Sequence, residues 1–288
     1  MSSAVKRILL LVLSLALVLS LTLVGCAEGE LAQEEVDRII ANVTTAQYDT
    51  VKLDMDMSMT MAVVGGSEPG EITMVGGGTG VMDMVNREMQ MAMNMTMDIP
   101  ELGEQEMKTE VYIIGEWMYT MVDIPEVGEQ WLKMKFSEEI WQQQKSQIEQ
   151  QIEFLKTAVE IKSLPDEAVN GTECYVFEVV PSIEALGELL SQQAYGMGGM
   201  DFGEFNLADL LKEMSVKEWI AKDSYRVMKA EVDMVMEMRP ADVGATEADF
   251  EKMTINMNIG ERLYDYNQPV SITLPPEALD AIEMPQSE

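Results

Sequence analysis

The chain has 288 residues, with 51 acidic against 19 basic side chains and a formal net charge of −32 at pH 7. Nucleic acid is excluded as a partner, because so few cations cannot neutralise a phosphate backbone. The absence of histidine removes Ser-His and Cys-His catalysis along with the commonest metal ligand, so no catalytic residue is assigned and an enzyme is not expected.

The N-terminus reads first as a targeting segment. "VKRILLLVLSLALVLSLTLVGC" places Lys6 and Arg7 before a long apolar run that ends in small residues, the pattern of a secretory signal. Its end, Leu23-Val24-Gly25-Cys26, resembles the bacterial lipobox at which signal peptidase II cuts. That motif implies a diacylglyceryl thioether on Cys26 and a protein held by its acyl chains. A plain transmembrane anchor is the alternative, since Val5 to Val24 is long enough to span. Against it, the run stops at Gly-Cys and acidic residues follow at once. Ala27 follows Cys26, so the Asp retention signal of that position is absent. The expected layout is a signal over 1–25, a lipidated N-terminus and linker over 26–30, and one domain over 31–288. Loss of Lys6 and Arg7 leaves 17 basic residues (19 − 2) against 51 acidic, a net of −34. Such a surface repels anionic headgroups, so an anchor would hold the protein to a membrane where its surface would not. With Cys26 committed to lipid, Cys174 has no partner for an intramolecular disulfide. Its place in "ECYVFEVV" predicts a buried strand thiol.

Leu31 to Val43 predicts a helix from the spacing of Val36, Ile39, Ile40 and Val43. Strands follow. In "VKLDMDMSMTMAV" the apolar face holds Val51, Leu53, Met55, Met57, Met59, Met61 and Val63, and the polar face Lys52, Asp54, Asp56, Ser58 and Thr60. A second strand is predicted over Glu71 to Val85, with a bulge or bend at Gly76, Gly77 and Gly78. "REMQMAMNMTMDIP" is the third, and "EMKTEVYIIG", "EWMYTMV" and "EQWLKMKF" continue a meander. The alternation predicts an antiparallel sheet with one covered and one wet face. "TMDIPELGEQ" recurs as "TMVDIPEVGEQ", two hairpin connections of one build, with Pro100 and Pro125 ending strands and Gly103 and Gly128 turning the chain. Their acids, Asp98, Glu101, Glu104 and Asp123, Glu126, Glu129, lack EF-hand spacing and read as solvated turns.

Ser137 to Lys156 predicts a capped helix with Ile140, Ile148, Ile152 and Leu155 as its stripe. Two strands, "AVEIKSL" and "TECYVFEVV", are expected to join through Pro165 to Gly171, and a helix to start at Ser182. "AYGMGGMDFGEF" sets Met197, Met200, Phe202 and Phe205 among glycines; it reads as a lid or as an ordinary connection. "NLADLLKEM" predicts a short helix. "VKEWIAK", "YRVMKAEVDMVMEMRP" and "DFEKMTINMNIGERLYDY" predict three strands, and the tail a last short strand.

The methionines admit three readings. Met55, Met57, Met59 and Met61 share one strand face, as do Met89, Met91, Met93, Met95 and Met97; Met228, Met234, Met236 and Met238 align with Ala230 and Val232, and Met253 and Met257 with Ile255 and Ile259. Met-x-Met strings suit Cu(I), yet no histidine accompanies them and Val and Ile keep the same register. No metal or other cofactor is assigned. A filled core is the second reading. The third is a ligand-lined cavity, since flexible thioethers specify a core poorly but adapt to variable apolar chains. Strand phase does not divide these two.

With the lipobox, the short first helix, the meander through "VYIIGEWMYTM" and "WLKMKF", then "LPDEAVNGTECYVFEVV", "WIAKDSYRVMKAEVDM" and "YDYNQPVSITLP", the chain resembles the LolA/LolB and LppX/LprG-like superfamily of extracytoplasmic lipoproteins. The resemblance implies an α+β fold, a strongly curved antiparallel sheet (an incomplete β-barrel) with helices covering its concave face. It also implies a cell-envelope carrier of lipid or another hydrophobic small molecule, with an envelope protein partner left unidentified. No hook residue transfers, because Arg38, Arg87, Arg226, Arg239 and Arg262 sit in no shared motif.

Overall fold

The computed structural model describes residues 33–66, 70–100, 102–124, 128–136, 160–180, 182, 210–243 and 249–284. The chain enters through helix α1 (Gln33–Thr45), with Glu34 and Glu35 in the first turn, where acids complement the helix dipole. Val36, Ile39 and Ile40 are buried, the i, i+3, i+4 stripe expected of a helix packed on one side.

Twelve strands follow: β1 (Thr50–Val64), β2 (Gly70–Asp83), β3 (Glu88–Ile99), β4 (Gly103–Ile114), β5 (Trp117–Ile124), β6 (Gly128–Lys135), β7 (Glu160–Val169), β8 (Thr172–Val180), β9 (Leu211–Ala221), β10 (Val227–Met238), β11 (Lys252–Tyr264) and β12 (Ile282–Glu283). Their order in the sheet is β12-β6-β5-β4-β3-β2-β1-β11-β10-β9-β8-β7. Two meanders, β1 to β6 and β7 to β11, are thus joined by the pairing of β1 with β11. The described ladders are antiparallel except at the C-terminal edge, where Ile282 and Glu283 pair in parallel with Leu132 and Lys133.

The chain divides into two compact units. One contains α1, β1 from Met57, the start of β2 as far as Thr73, β7 to β10 and β11 as far as Gly260; the other contains β1 up to Asp56, β2 from Met74, β3 to β6, and everything from Glu261.

Turn chemistry follows the sequence closely. The repeated hairpins share one register, with Ile99 opposite Gly103 and Ile124 opposite Gly128, and both glycines adopt positive φ. At the β2–β3 turn the Asp83 carboxylate accepts N–H bonds from Asn86 and Val85 and an amide bond from the Asn86 side chain. These bonds, led by that from the Asn86 backbone, hold its carboxyl below the usual range.

Three expectations are corrected. The predicted connection from Pro165 to Gly171 is mostly strand: β7 runs to Val169, and Asn170-Gly171 turns the chain with both residues at positive φ, as a two-residue hairpin turn requires. Pro165 is tolerated because β7 is an edge strand and its register shifts between Leu164 and Glu167. The short helix expected over "NLADLLKEM" gives way at Leu211 to β9, whose pairing with β10 outweighs helix propensity. A register shift between Val227 and Lys229 turns Met228 away from Ala230 and onto the opposite face. The glycines of β2 lie within one strand, Gly70–Asp83, and leave space for their neighbours, as described below. The helix from Ser137, the helix expected after Ser182 and the segment with Met197, Met200, Phe202 and Phe205 lie outside the described residues.

Candidate functional site

The methionines of the unit holding β3 form one surface with their neighbours. Val51, Leu53 and Met55 of β1 and Met74 of β2 are buried, as are Met93 and Met95 of β3, while Met89, Met91 and Met97 are half-buried. Register carries this face outward through Met89–Ile113–Met118–Met134 and through Met91–Val111–Thr120–Leu132. Gly76, Gly78 and Gly80 lie on the same face, where a Cβ would come 2.7 Å from Met95 Cγ, 2.9 Å from Met93 Cγ and 2.8 Å from Leu53 Cγ. These glycines therefore act by leaving room: the neighbouring side chains lie over a bare stretch of β2.

In the other unit Met57, Met59 and Met61 of β1, Met234, Met236 and Met238 of β10, and Met253 and Met257 of β11 are all buried. They alternate with Val63, Ile255 and Ile259, and β10 and β9 set Met234 opposite Met214 and Val232 opposite Val216.

Polar side chains fill the opposite face of the central strands. Arg262 reaches Asp56 at 2.9 Å, the Tyr264 hydroxyl donates to Asp54 at 3.0 Å, and Lys52 pairs with Asp265 at 2.7 Å. Asn258 donates to Asp233 at 2.8 Å. The one-wet-face expectation fails toward both ends of the strand order. Cys174, Val176 and Trp219 form a buried cluster on the face opposite Phe177, with Leu164, Val169 and Met228 packed on it. The Trp219 indole N–H donates to Glu167 at 2.8 Å, and Lys229 lies 4.1 Å from the ring centroid. In the β3–β6 unit, Tyr112 and Met121 are buried opposite the methionines, and Tyr112 contacts Trp131.

Cys174 is a buried thiol, as expected from its strand. Burial pushes it above its usual range, which removes thiolate character. Among the described residues no group of three or more Asp, Glu or Cys side chains is placed to hold a metal ion. None of their helices is long and apolar enough to cross a membrane.

Two residues on the methionine face escaped the sequence reading. Glu218 is wholly buried, opposite Phe177 and Ala230. Glu261 is buried in line with Ile259 and Leu263, and burial raises its carboxyl to about 8. The available signal was phase: Glu261 falls on the apolar side of an alternating strand, as Glu218 does between Val216 and Ile220.

No curated protein matches this chain. Among solved structures it is similar to the lipoprotein LppX of Mycobacterium tuberculosis, at 12% identity and a TM-score of 0.38, covering 82% of this chain and 99% of that one. LprF of Mycobacterium bovis is similar at 12% identity and a TM-score of 0.38, covering 86% and 99%. A lipovitellin structure is similar at 9% identity and a TM-score of 0.33, covering 80% of this chain and 26% of that one. Residues 35–283 match DUF6612, a family of unknown function, and the chain belongs to that family.

Proposed function

We propose that this is an extracytoplasmic lipoprotein of the cell envelope, anchored to the membrane through acylated Cys26, that binds or carries a hydrophobic ligand, lipid or acyl chains, against its methionine face. The observation that carries the reading is the chemistry of the methionine face in the unit holding β3. Its buried Met55, Met74, Met93 and Met95 are unbranched thioethers where Val and Ile usually sit. Methionine defines a core poorly and adapts readily to a partner of variable shape. Burying a methylene contributes about 0.8 kcal/mol, so a long acyl chain needs little polar help to stay bound. No reaction is part of this proposal.

A second reading is a structural or interaction lipoprotein with a filled methionine core. The full burial of Met61, Met74 and Met253 favours it. The deciding experiment is native mass spectrometry and lipid extraction of the chain from Cys26 onward, with Cys26→Ser to remove the anchor. Co-purifying lipid, or uptake of a fluorescent fatty acid, supports the carrier. A ligand-free protein that takes up no probe sinks it and leaves the filled core.

A further inference from the structure

Glu261 occupies a position that its strand reserves for apolar groups. Met253, Ile255, Met257, Ile259, Glu261 and Leu263 alternate as the buried residues of β11, and Glu261 is 5% exposed. Burial alone accounts for the rise of its carboxyl to about 8, and no described group hydrogen-bonds to it. The charged residues around it are engaged elsewhere: Arg262 with Asp56, Lys52 with Asp265 and Tyr264 with Asp54, all on the opposite face. On its own side β1 offers Val51, Leu53 and Met55. Among the described residues the Tyr48 phenol is a titratable neighbour; it packs edge-on against Tyr266 and is raised above its usual range by burial and by the charge of Glu261. A carboxyl placed on an apolar strand face is costly to bury and calls for an explanation.

We infer that Glu261 is the polar anchor of the ligand: its carboxyl donates a hydrogen bond to the carbonyl oxygen of an uncharged, ester-bearing amphiphile whose chains lie along the methionines, and it disfavours ligands carrying a carboxylate. This rests on the ligand-binding reading above. A protonated carboxyl is a donor seeking an acceptor, and an ester carbonyl supplies one without bringing charge into an apolar face. A carboxylate ligand would need desolvation beside an acid whose own ionisation it would oppose. Ionisation of Glu261 removes the donor, so retention of the ester is linked to the proton.

The test uses the chain from Cys26 onward with Cys26→Ser and three fluorescent polyenes: methyl cis-parinarate, cis-parinaric acid and diphenylhexatriene. The ester is expected to bind more tightly than the acid at neutral pH, and to weaken as pH rises through 8, below the range of Tyr48. Glu261→Gln retains a donor and is expected to bind the ester without that pH dependence. Glu261→Leu is expected to weaken the ester by about three- to tenfold while leaving diphenylhexatriene unchanged, the loss of one hydrogen bond. If Glu261→Leu fails to fold, the wild-type pH series and Glu261→Gln decide. Ester binding that ignores pH, in a protein that binds diphenylhexatriene, overturns the anchor and leaves the carrier standing. Failure of the wild type to bind any of the three overturns the carrier, and the anchor with it.

Discussion

A Cβ on Gly78 would lie 2.9 Å from Met93 Cγ and 2.5 Å from the Ala92 carbonyl oxygen. The thioether could move aside, but the carbonyl belongs to the neighbouring strand and cannot. Gly78→Ala is therefore expected to destabilise the fold by about 1–3 kcal/mol, the usual cost of overpacking. Gly260, in β11, has open space around its missing side chain and no positive φ. Gly260→Ala is expected to be neutral or to gain about 0.4–1 kcal/mol by restricting the unfolded chain. Urea denaturation of the two variants checks the pair. Equal effects would mean that the β2 glycines do not act by leaving room.

Trp219 ties the β7–β9 edge together on the face away from Phe177. Its indole is bonded to Glu167, its ring is capped by Lys217 and Lys229, and Val176 and Cys174 lie beside it. Trp219→Phe keeps the apolar bulk and strands the Glu167 bond, and is expected to cost about 1–2 kcal/mol. The adjacent Cys174 thiol is expected to react with an aromatic disulfide reagent only as denaturant opens the fold. Rapid labelling of the native protein would contradict its burial.

The strands, the first helix and the matched hairpins were legible because their signals are local. Alternation of Met with Asp, Ser and Thr marks β1, and Pro100 and Gly103 mark a turn. What was not legible depends on partners distant in sequence. Asn170-Gly171 is itself a local turn signal, but Pro165 argued against a strand until its edge position and register shift could be seen. Leu211 to Met214 favour a helix alone and a strand only beside β10. Met228 could be placed on its face only once the bulge was known. Alternation predicted a single covered face, yet Trp219 and Met121 fall on the other one; each strand has two sides, and the sequence does not say what packs on the second. Glu261 was passed over because net charge invites every acid to be read as solvated.

The two hairpins of the repeat place like charges directly across from one another, Asp98 opposite Glu104 and Asp123 opposite Glu129. Such pairs are destabilising by about 0.2–1 kcal/mol. Lys108 is raised above its usual range, first by its bond to Glu110, and also feels Glu129 and Asp123. The second pair is thus partly compensated. Glu104→Lys is expected to raise thermal stability more than Glu129→Lys, which would set a new cation near Lys108. Both gains should shrink at high salt. A larger gain from Glu129→Lys would refute the compensation.

Glu261 also sets a pH dependence of stability. In the unfolded chain its carboxyl titrates near 4.5, and in the fold burial raises it to about 8. Between these values the native state keeps a proton that the unfolded state has released, so folding takes up a proton and stability falls as pH rises. Below the lower value both states are protonated and nothing is lost; above the upper value both are ionised and the loss levels off. At neutral pH the cost is about 3 kcal/mol. Glu261→Gln removes the titration while keeping the shape. It is expected to be near wild type at pH 4, where both side chains are neutral, and progressively more stable than wild type toward pH 8. Parallel urea midpoints across that range check it. A constant difference between the two proteins would mean that Glu261 is ionised in the native state, and that its carboxyl has found a partner or water that lowers it.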